Sequence, residues 1–448
     1  MARAKKETAL TPEERLQAAL VPDWEWPYKL PENWCWTYLG VVSEIVMGQS
    51  PAGKSTTNDS SYMPLIGGAA DMGELYPQVS RFTKTPTKQS QTDDVILSIR
   101  ATLGRPIFSD GIYCLGRGVV AFRSSIVTKE FLRYFFIDQE NYLYQNATGT
   151  TFAQVDSKTL KSMPFPLPPF HEQRRIVRRV ESLFTKLDEA KDKAQKVVDE
   201  FKTRKAAILH KAFTGELTAK WREEHGVRME SWKKKSVGEL CISLKYGTAK
   251  KSDASGNVVV LRMGNLQQGE IDWSDLAYSN DPDDIEKYKL FPGDVLFNRT
   301  NSAALVGKTA IYRGEHPAIY AGYLIKLAYD HDKIIGDYLN YALNTLDAKK
   351  YCNSVKTDGV NQSNINAKKI GAYSFNVPSI PEQEKIVSVI QKLLSKEQQS
   401  KEAAEAVLDQ IDLMKKSILA RAFRGELGTN DPSEESAVEL LKEIIRRG

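Results

Sequence analysis

Cysteine is scarce in this chain. Cys35, Cys114, Cys241 and Cys352 are the only four in 448 residues, and no two lie close in sequence. Such spacing argues against a zinc site and a disulfide framework, and for a reducing cytosol. Long apolar runs are missing as well. None approaches the ~18 residues of a membrane span, and the first residues carry no signal-peptide core, so no membrane partner is expected. The five histidines, His171, His210, His225, His316 and His331, show no ligand spacing, and no acidic metal cluster or nucleophile–base set is evident. Covalent chemistry is not expected of this chain, nor a metal or cofactor of its own. Charge of one sign is also in short supply. Sixty-two basic against 57 acidic residues leave a formal +5. That permits contact with nucleic acid, but tight binding is expected only with help from partners.

Two stretches imitate catalytic motifs. Gly48-Gln-Ser-Pro-Ala-Gly53-Lys54-Ser55 fits the phosphate-loop pattern, which works only where a strand feeds the loop and a helix starts at Lys-Ser. The residues that follow, Ser55 to Pro64, are poor helix formers, so a polar loop is the better reading and a nucleotide-hydrolysing one the weaker alternative. Leu167-Pro168-Pro169-Phe170 resembles the Asn/Asp-Pro-Pro-aromatic motif of amino-methyltransferases. The essential first residue is Leu here, which leaves a helix-entry turn.

What the sequence does hold is self-similarity. Pro168 to Leu217 returns 210 positions later without a gap. Glu172-Gln173 becomes Glu382-Gln383, and Ile176-Val177 becomes Ile386-Val387. Ala212-Phe213-x-Gly215-Glu216-Leu217 becomes Ala422-Phe423-x-Gly425-Glu426-Leu427. A long internal duplication dictates architecture. Each copy reads as a helix with a narrow seam. In steps of four and three the first runs Ile176, Val180, Leu183, Leu187, Ala190, Ala194, Val197, Phe201, Arg204 and Ile208. The second runs Ile386, Ile390, Leu393, Glu397, Ser400, Ala404, Val407, Ile411, Met414 and Ile418. Prolines mark the starts, and Gly215 and Gly425 the stops. A narrow stripe on a charged helix needs a partner, and the economical one is the other copy, antiparallel, about a pseudo-two-fold axis.

The expected order follows from this frame. Residues 1–33 form a helix, entered at Thr11-Pro12-Glu13-Glu14, and a Trp/Pro strap. Residues 34–163 form a mixed domain, with strands near 41–47, 94–100, 106–108 and 118–123 and a helix over 129–145. Then come a long helix (164–218), a polar linker (219–230), a second mixed domain (231–373) and the second long helix (374–428). A tail helix (429–448) is expected with Asp431 as cap and Pro432 in its first turn. The fold class is α+β: two mixed α/β domains joined by two long antiparallel coiled-coil helices, with a pseudo-two-fold internal repeat. Between the landmarks the two domains differ in sequence and loop length. Polar side chains that suit base edges or phosphates gather in their loops. In the first domain these are Gln49, Ser50, Lys54, Arg81, Lys84, Lys88, Arg100 and Arg105. In the second they are Lys250, Lys251, Arg262, Asn265, Gln267, Gln268, Arg299, Asn301 and Lys308. Asp94…Arg100 and Asp294…Arg299 correspond, which points either to DNA-contacting arginines or to a shared salt bridge.

Pro168-Pro-Phe-His-Glu-Gln-Arg-Arg-Ile-Val177 with Ile208-Leu-His-Lys-Ala-Phe-Thr-Gly-Glu-Leu-Thr218, and their second copies, resemble the specificity subunit of type I restriction–modification enzymes over essentially the full chain. Gly48-Gln-Ser-Pro51 and Gly264-Asn-Leu266 also look like that family's target-recognition domains. The resemblance implies that each mixed domain is a target-recognition domain reading one half of an interrupted double-stranded DNA site. It implies that the helix pair is a ruler and a dock for two modification subunits. Those partners would bring S-adenosylmethionine and methylate adenine N6, and motor-nuclease restriction subunits would join them in a bacterial or archaeal cytoplasm. A coiled-coil scaffold without DNA recognition is the competing reading.

Overall fold

A computed structural model of the chain describes residues 11–149, 152–360 and 362–447. The first ten residues of the expected N-terminal region lie outside that set, as do residues 150 and 151 of the first expected mixed domain and 361 of the second. The chain forms two compact units. One joins the chain up to Lys193 to the part from Val407 onward, and the other is Ala194–Ala406.

In the first unit the strands Glu44–Met47, Val119–Arg123, Val95–Arg100 and Thr102–Phe108 lie in that spatial order, all antiparallel. The strand Val95–Arg100 is buried on both sides, so it does not alternate, and its one buried polar side chain, Ser98, donates to the Gly104 carbonyl. Val95, Leu97 and Ile99 face a core with Phe131 and Phe135 of the helix Lys129–Asp138. Ile96 faces the other way, toward Ile66 and Leu115. Those two belong to a second layer of five short strands, Thr56–Thr57, Phe82–Thr83, Met63–Ile66, Cys114–Leu115 and Lys88–Gln89. A two-strand ribbon, Cys35–Tyr38 with Pro164–Leu167, closes the unit. The expected 129–145 helix is broken in two at Gln139, and the expected 41–47 strand begins only at Glu44, after a helical turn over Leu39–Val42.

The second unit repeats the frame. Its sheet runs Cys241–Tyr246, Leu324–Tyr329, Val295–Asn298 and Thr309–Ile311. Val295 and Phe297 face one core, and Leu296 faces another. Its ribbon is Lys233–Ser236 with Ser374–Val377.

The long helices are Phe170–Phe213 and Ile380–Phe423, 44 residues each. Each begins beside proline, and each is fastened to its unit by the repeated Glu-Gln pair. The Gln173 amide donates to the carbonyls of Ile126 and Pro168 and accepts from the Thr128 amide. In the second unit Gln383 donates to Lys333 and Pro378 and accepts from Ile335. Glu172 accepts from the Trp34 indole at 2.8 Å, and Glu382 from the Trp232 indole at 3.0 Å. The repeated phenylalanine anchors the opposite helix end: Phe423 packs on Phe131 and Phe135, and Phe213 on Tyr338 and Phe375. Gly215 and Gly425 then end the helices with φ of +82° and +75°.

The two helices pair antiparallel within each unit. Lys415 meets Asp188 at 2.5 Å in the first, and Arg204 meets Glu397 at 2.6 Å in the second. Ile176, Val180, Phe201, Ile386, Ile390 and Ile411 are buried, while Leu183, Leu187, Val197, Leu393, Ile208 and Ile418 are half-buried. Val407 corrects the expected seam. It is 40% exposed, and its neighbour Leu408 turns inward instead. Met414 departs from the expected seam as well, at 46% exposed, while Ala404, Ile411 and Ile418 keep their places on it.

Two further expectations change. Residues 219–230 are not merely a linker, because the helix Ala219–Glu224 presents a buried Arg222 to Glu382 at 2.7 Å. The tail helix spans Ala437–Arg447, not residues from Pro432 onward. Asp431 caps a turn at Ser433 instead, and the Ala437 amide donates to the Asn33 carbonyl.

Candidate nucleic-acid interface

In the first unit Gln49, Ser50 and Lys54 follow the point where the four-strand sheet hands the chain to the five-strand layer. The strand Glu44–Met47 ends at Gly48, whose amide donates to Val119. A Cβ at Gly48 would lie 2.1 Å from the Gly116 carbonyl oxygen, so only glycine fits. Gly116 and Gly118 press in turn on Gly67, and this glycine crossing holds the loops together. Gln49 and Ser50 emerge exposed from it, and the Ser50 hydroxyl accepts from the Arg117 amide. Lys54 is exposed on a single helical turn, Gly53–Ser55, that runs straight into the strand Thr56–Thr57. The helix required by the phosphate-loop alternative is therefore absent. Lys84 lies over the Tyr62 ring at 5.1 Å, and Lys88 is exposed on the strand Lys88–Gln89. Arg81 is committed to Asp71 at 2.9 Å. Arg100 ends its strand half-buried, and Arg105 stands exposed at φ +56° on the neighbouring strand.

In the second unit Gly247 repeats the role of Gly48, since a Cβ there would meet the Tyr320 carbonyl oxygen at 2.1 Å. The loop beyond it opens a cleft of about 480 Å³, whose lining includes Lys250, Lys251, Arg262, Arg299 and Tyr323. Lys250 is bound to Asp281 at 2.6 Å, which raises its pKa, and Arg262 to Asp275 at 3.0 Å. Other candidates lie elsewhere. Asn265 is buried, and its amide closes its own loop on the carbonyls of Asp272 and Asp275, so its role is structural. Gln267 accepts from Lys308, whose pKa is lowered chiefly by burial. Gln268 is exposed at φ +53°, and its carbonyl accepts from Lys205 of the first long helix. The Asn301 side chain accepts from the next residue's amide.

The repeated Asp…Arg spacing is not a salt bridge. Asp94 takes both bonds from Arg123, and Asp294 takes Lys326 at 2.6 Å. Arg100 and Arg299 are thereby left to other work. Sequence reasoning missed Arg117, exposed between Gly116 and Gly118, although the paired glycines were a usable signal. It also missed Tyr246 and Tyr323, which carried none. Among the described residues no group of His, Cys, Asp and Glu could hold a metal ion, and no helix is long and apolar enough to cross a membrane.

A family model described as the type I restriction modification DNA specificity domain matches residues 31–198 and again 229–407. The chain is 25% identical over 446 residues to the type I restriction enzyme StySPI specificity subunit of Salmonella potsdam, covering 93% of this chain and 96% of that one. It is 26% identical over 456 residues to the EcoKI specificity subunit of Escherichia coli K12, with the same coverage. The HsdS subunit crystal structure from Thermoanaerobacter tengcongensis superposes with a TM-score of 0.63 at 21% identity, over 90% of this chain and 99% of the other, a likeness of fold. With one family model falling once on each copy of the repeated frame, the chain belongs to the DNA specificity subunits of type I restriction–modification systems.

Proposed function

We propose that each unit reads one half of an interrupted double-stranded DNA site, and that the helix pair sets the spacer between the halves. The chain is the non-catalytic specificity component. Two modification subunits dock on it, bring S-adenosylmethionine and methylate adenine N6 with the target base flipped. Motor-nuclease restriction subunits complete the complex. One observation carries this reading: a frame present twice, held by the same Glu-Gln clamps, with unlike polar loops on each copy. A shared frame with unlike loops is what two readers of different half-sites require, because phosphate contacts position the protein while base edges specify the sequence.

Genome-wide N6-methyladenine mapping with and without the gene, in a host carrying the modification subunits, tests the proposal. Loss of methylation at one interrupted motif is the expected result. Unchanged methylation, while the chain still co-purifies with its modification subunits, favours a scaffold without DNA recognition.

A further inference from the structure

Resting on the reading that the second unit contacts one half-site, we propose that Arg299 determines its specificity by reading a guanine. Arg299 follows directly on the sheet strand Val295–Asn298, and its backbone is fixed on both sides. Its amide donates to Tyr323, and its carbonyl accepts from Ile365. The guanidinium lies on the Tyr246 ring at 4.7 Å. That ring is itself held in place, because its hydroxyl accepts from the Ala367 amide at 2.9 Å. One Nη1 hydrogen goes to the Gly322 carbonyl at 3.3 Å, and Nε is buried with no partner among the described residues. The carboxylate that sequence spacing offered it, Asp294, is occupied by Lys326.

This is an oriented fork of donors with little to bind. The buried Nε is closed to an incoming base, so the donors left for one are Nη2 and the second Nη1 hydrogen, and a ring-stacked guanidinium keeps its plane without losing further freedom on binding. The wall of the cleft holds the other cations in different states. Lys250 and Arg262 are paired with carboxylates, and Lys251 is exposed on the loop. An exposed lysine suits a phosphate. A recessed, planar, unpaired guanidinium suits two acceptors side by side, which in the major groove are O6 and N7 of guanine.

The test is Arg299→Gln and Arg299→Lys in the full chain, expressed with the modification subunits, with the methylated motif read across the genome. Arg299→Gln is expected to relax a guanine requirement at one position of one half-site by about 5- to 100-fold, leaving the other half-site unchanged. Arg299→Lys keeps the charge but not the fork and relaxes the same position. The proposal is overturned if both variants keep the wild-type motif. It is equally overturned if Arg299→Gln lowers methylation evenly at all sites while lysine restores it, the mark of a phosphate contact. Should Arg299→Gln abolish methylation altogether, the lysine variant decides between the two contacts. Exchange of residues 231–373 for another such domain separates this failure from a deeper one. If the exchange leaves both half-sites unchanged, the reading of the unit is wrong. If it changes one half-site while the Arg299 variants do not, only the guanine assignment is lost.

Discussion

Glu172 is fully buried at the start of the first long helix, where it accepts from Trp34 and Asn430. Burial raises its pKa, and these hydrogen bonds only partly offset the rise. The folded state therefore holds the proton to higher pH than the unfolded chain does. Its contribution to stability is fully present below the ordinary carboxylate range and is lost as pH rises through the raised folded value. Glu434 works in the opposite sense. Its bonds to Arg175 hold its pKa low, so its contribution is present above the ordinary value and lost as pH falls. Glu172→Gln keeps an acceptor for Trp34 and removes the titrating charge. Unfolding followed between about pH 4 and pH 7 should show the variant gaining on the wild type as pH rises. Parallel profiles would show that Glu172 does not titrate in this window. The equivalent glutamate in the second unit has a different partner, since Glu382 faces the buried Arg222. Removing that arginine would leave an uncompensated buried charge, typically a loss of about 3–5 kcal/mol.

At the scale of the helices, the two polar interruptions of the seam turn out to answer each other. Arg204 broke the first stripe and Glu397 the second, and in the second unit they form one ion pair, with a further bond from Arg204 to Glu200. The positions equivalent by the repeat are Met414 and Leu187, both apolar. In the first unit the ion pair at this level lies one residue along, Lys415 with Asp188, and Met414 itself is exposed. Arg204→Met alone should lower the unfolding midpoint more than Glu397→Leu alone, because the first strands Glu397, whereas Arg204 keeps Glu200 and the Val197 carbonyl when Glu397 is lost. The double variant should recover it to the wild-type level or above, and a double-mutant cycle measures the coupling. Additive losses would mean that the pair is incidental. The helices, their ends and the duplicated motifs were legible in sequence because periodicity and repetition are local signals. The exposure of Val407 and Met414 was not, since it depends on which side chains the facing helix presents at each level. The surroundings of the individual loop residues were not legible. Arg81, Asn265 and Gln267 proved to be engaged by Asp71, by backbone carbonyls and by Lys308, and those partners arrive from strands distant in sequence.

At the scale of the whole molecule, the repeat makes one demand that neither unit makes alone. If the helix pair is the ruler, the number of residues in it is a physical length. Each helix has 44 residues, about 66 Å at 1.5 Å per residue. Removing seven residues from both, at 193–199 and at 403–409, takes the same stretch from each copy. It leaves the Glu-Gln clamps, the phenylalanine anchors and both mixed domains intact. Seven residues are nearly two full turns, so the faces of the shortened helices stay aligned to within about 20°. The length lost is about 10 Å, or roughly three base pairs of DNA at 3.4 Å each. Methylation mapping of the shortened chain should return the same half-site letters with a changed spacer. A spacer unchanged in the mapped motif would remove the ruler from the proposal while leaving the two readers standing. Altered half-site letters would show instead that the helices shape the loops they carry. On the proposed reading the letters belong to the loops and the spacing to the helices, so the three outcomes are distinct.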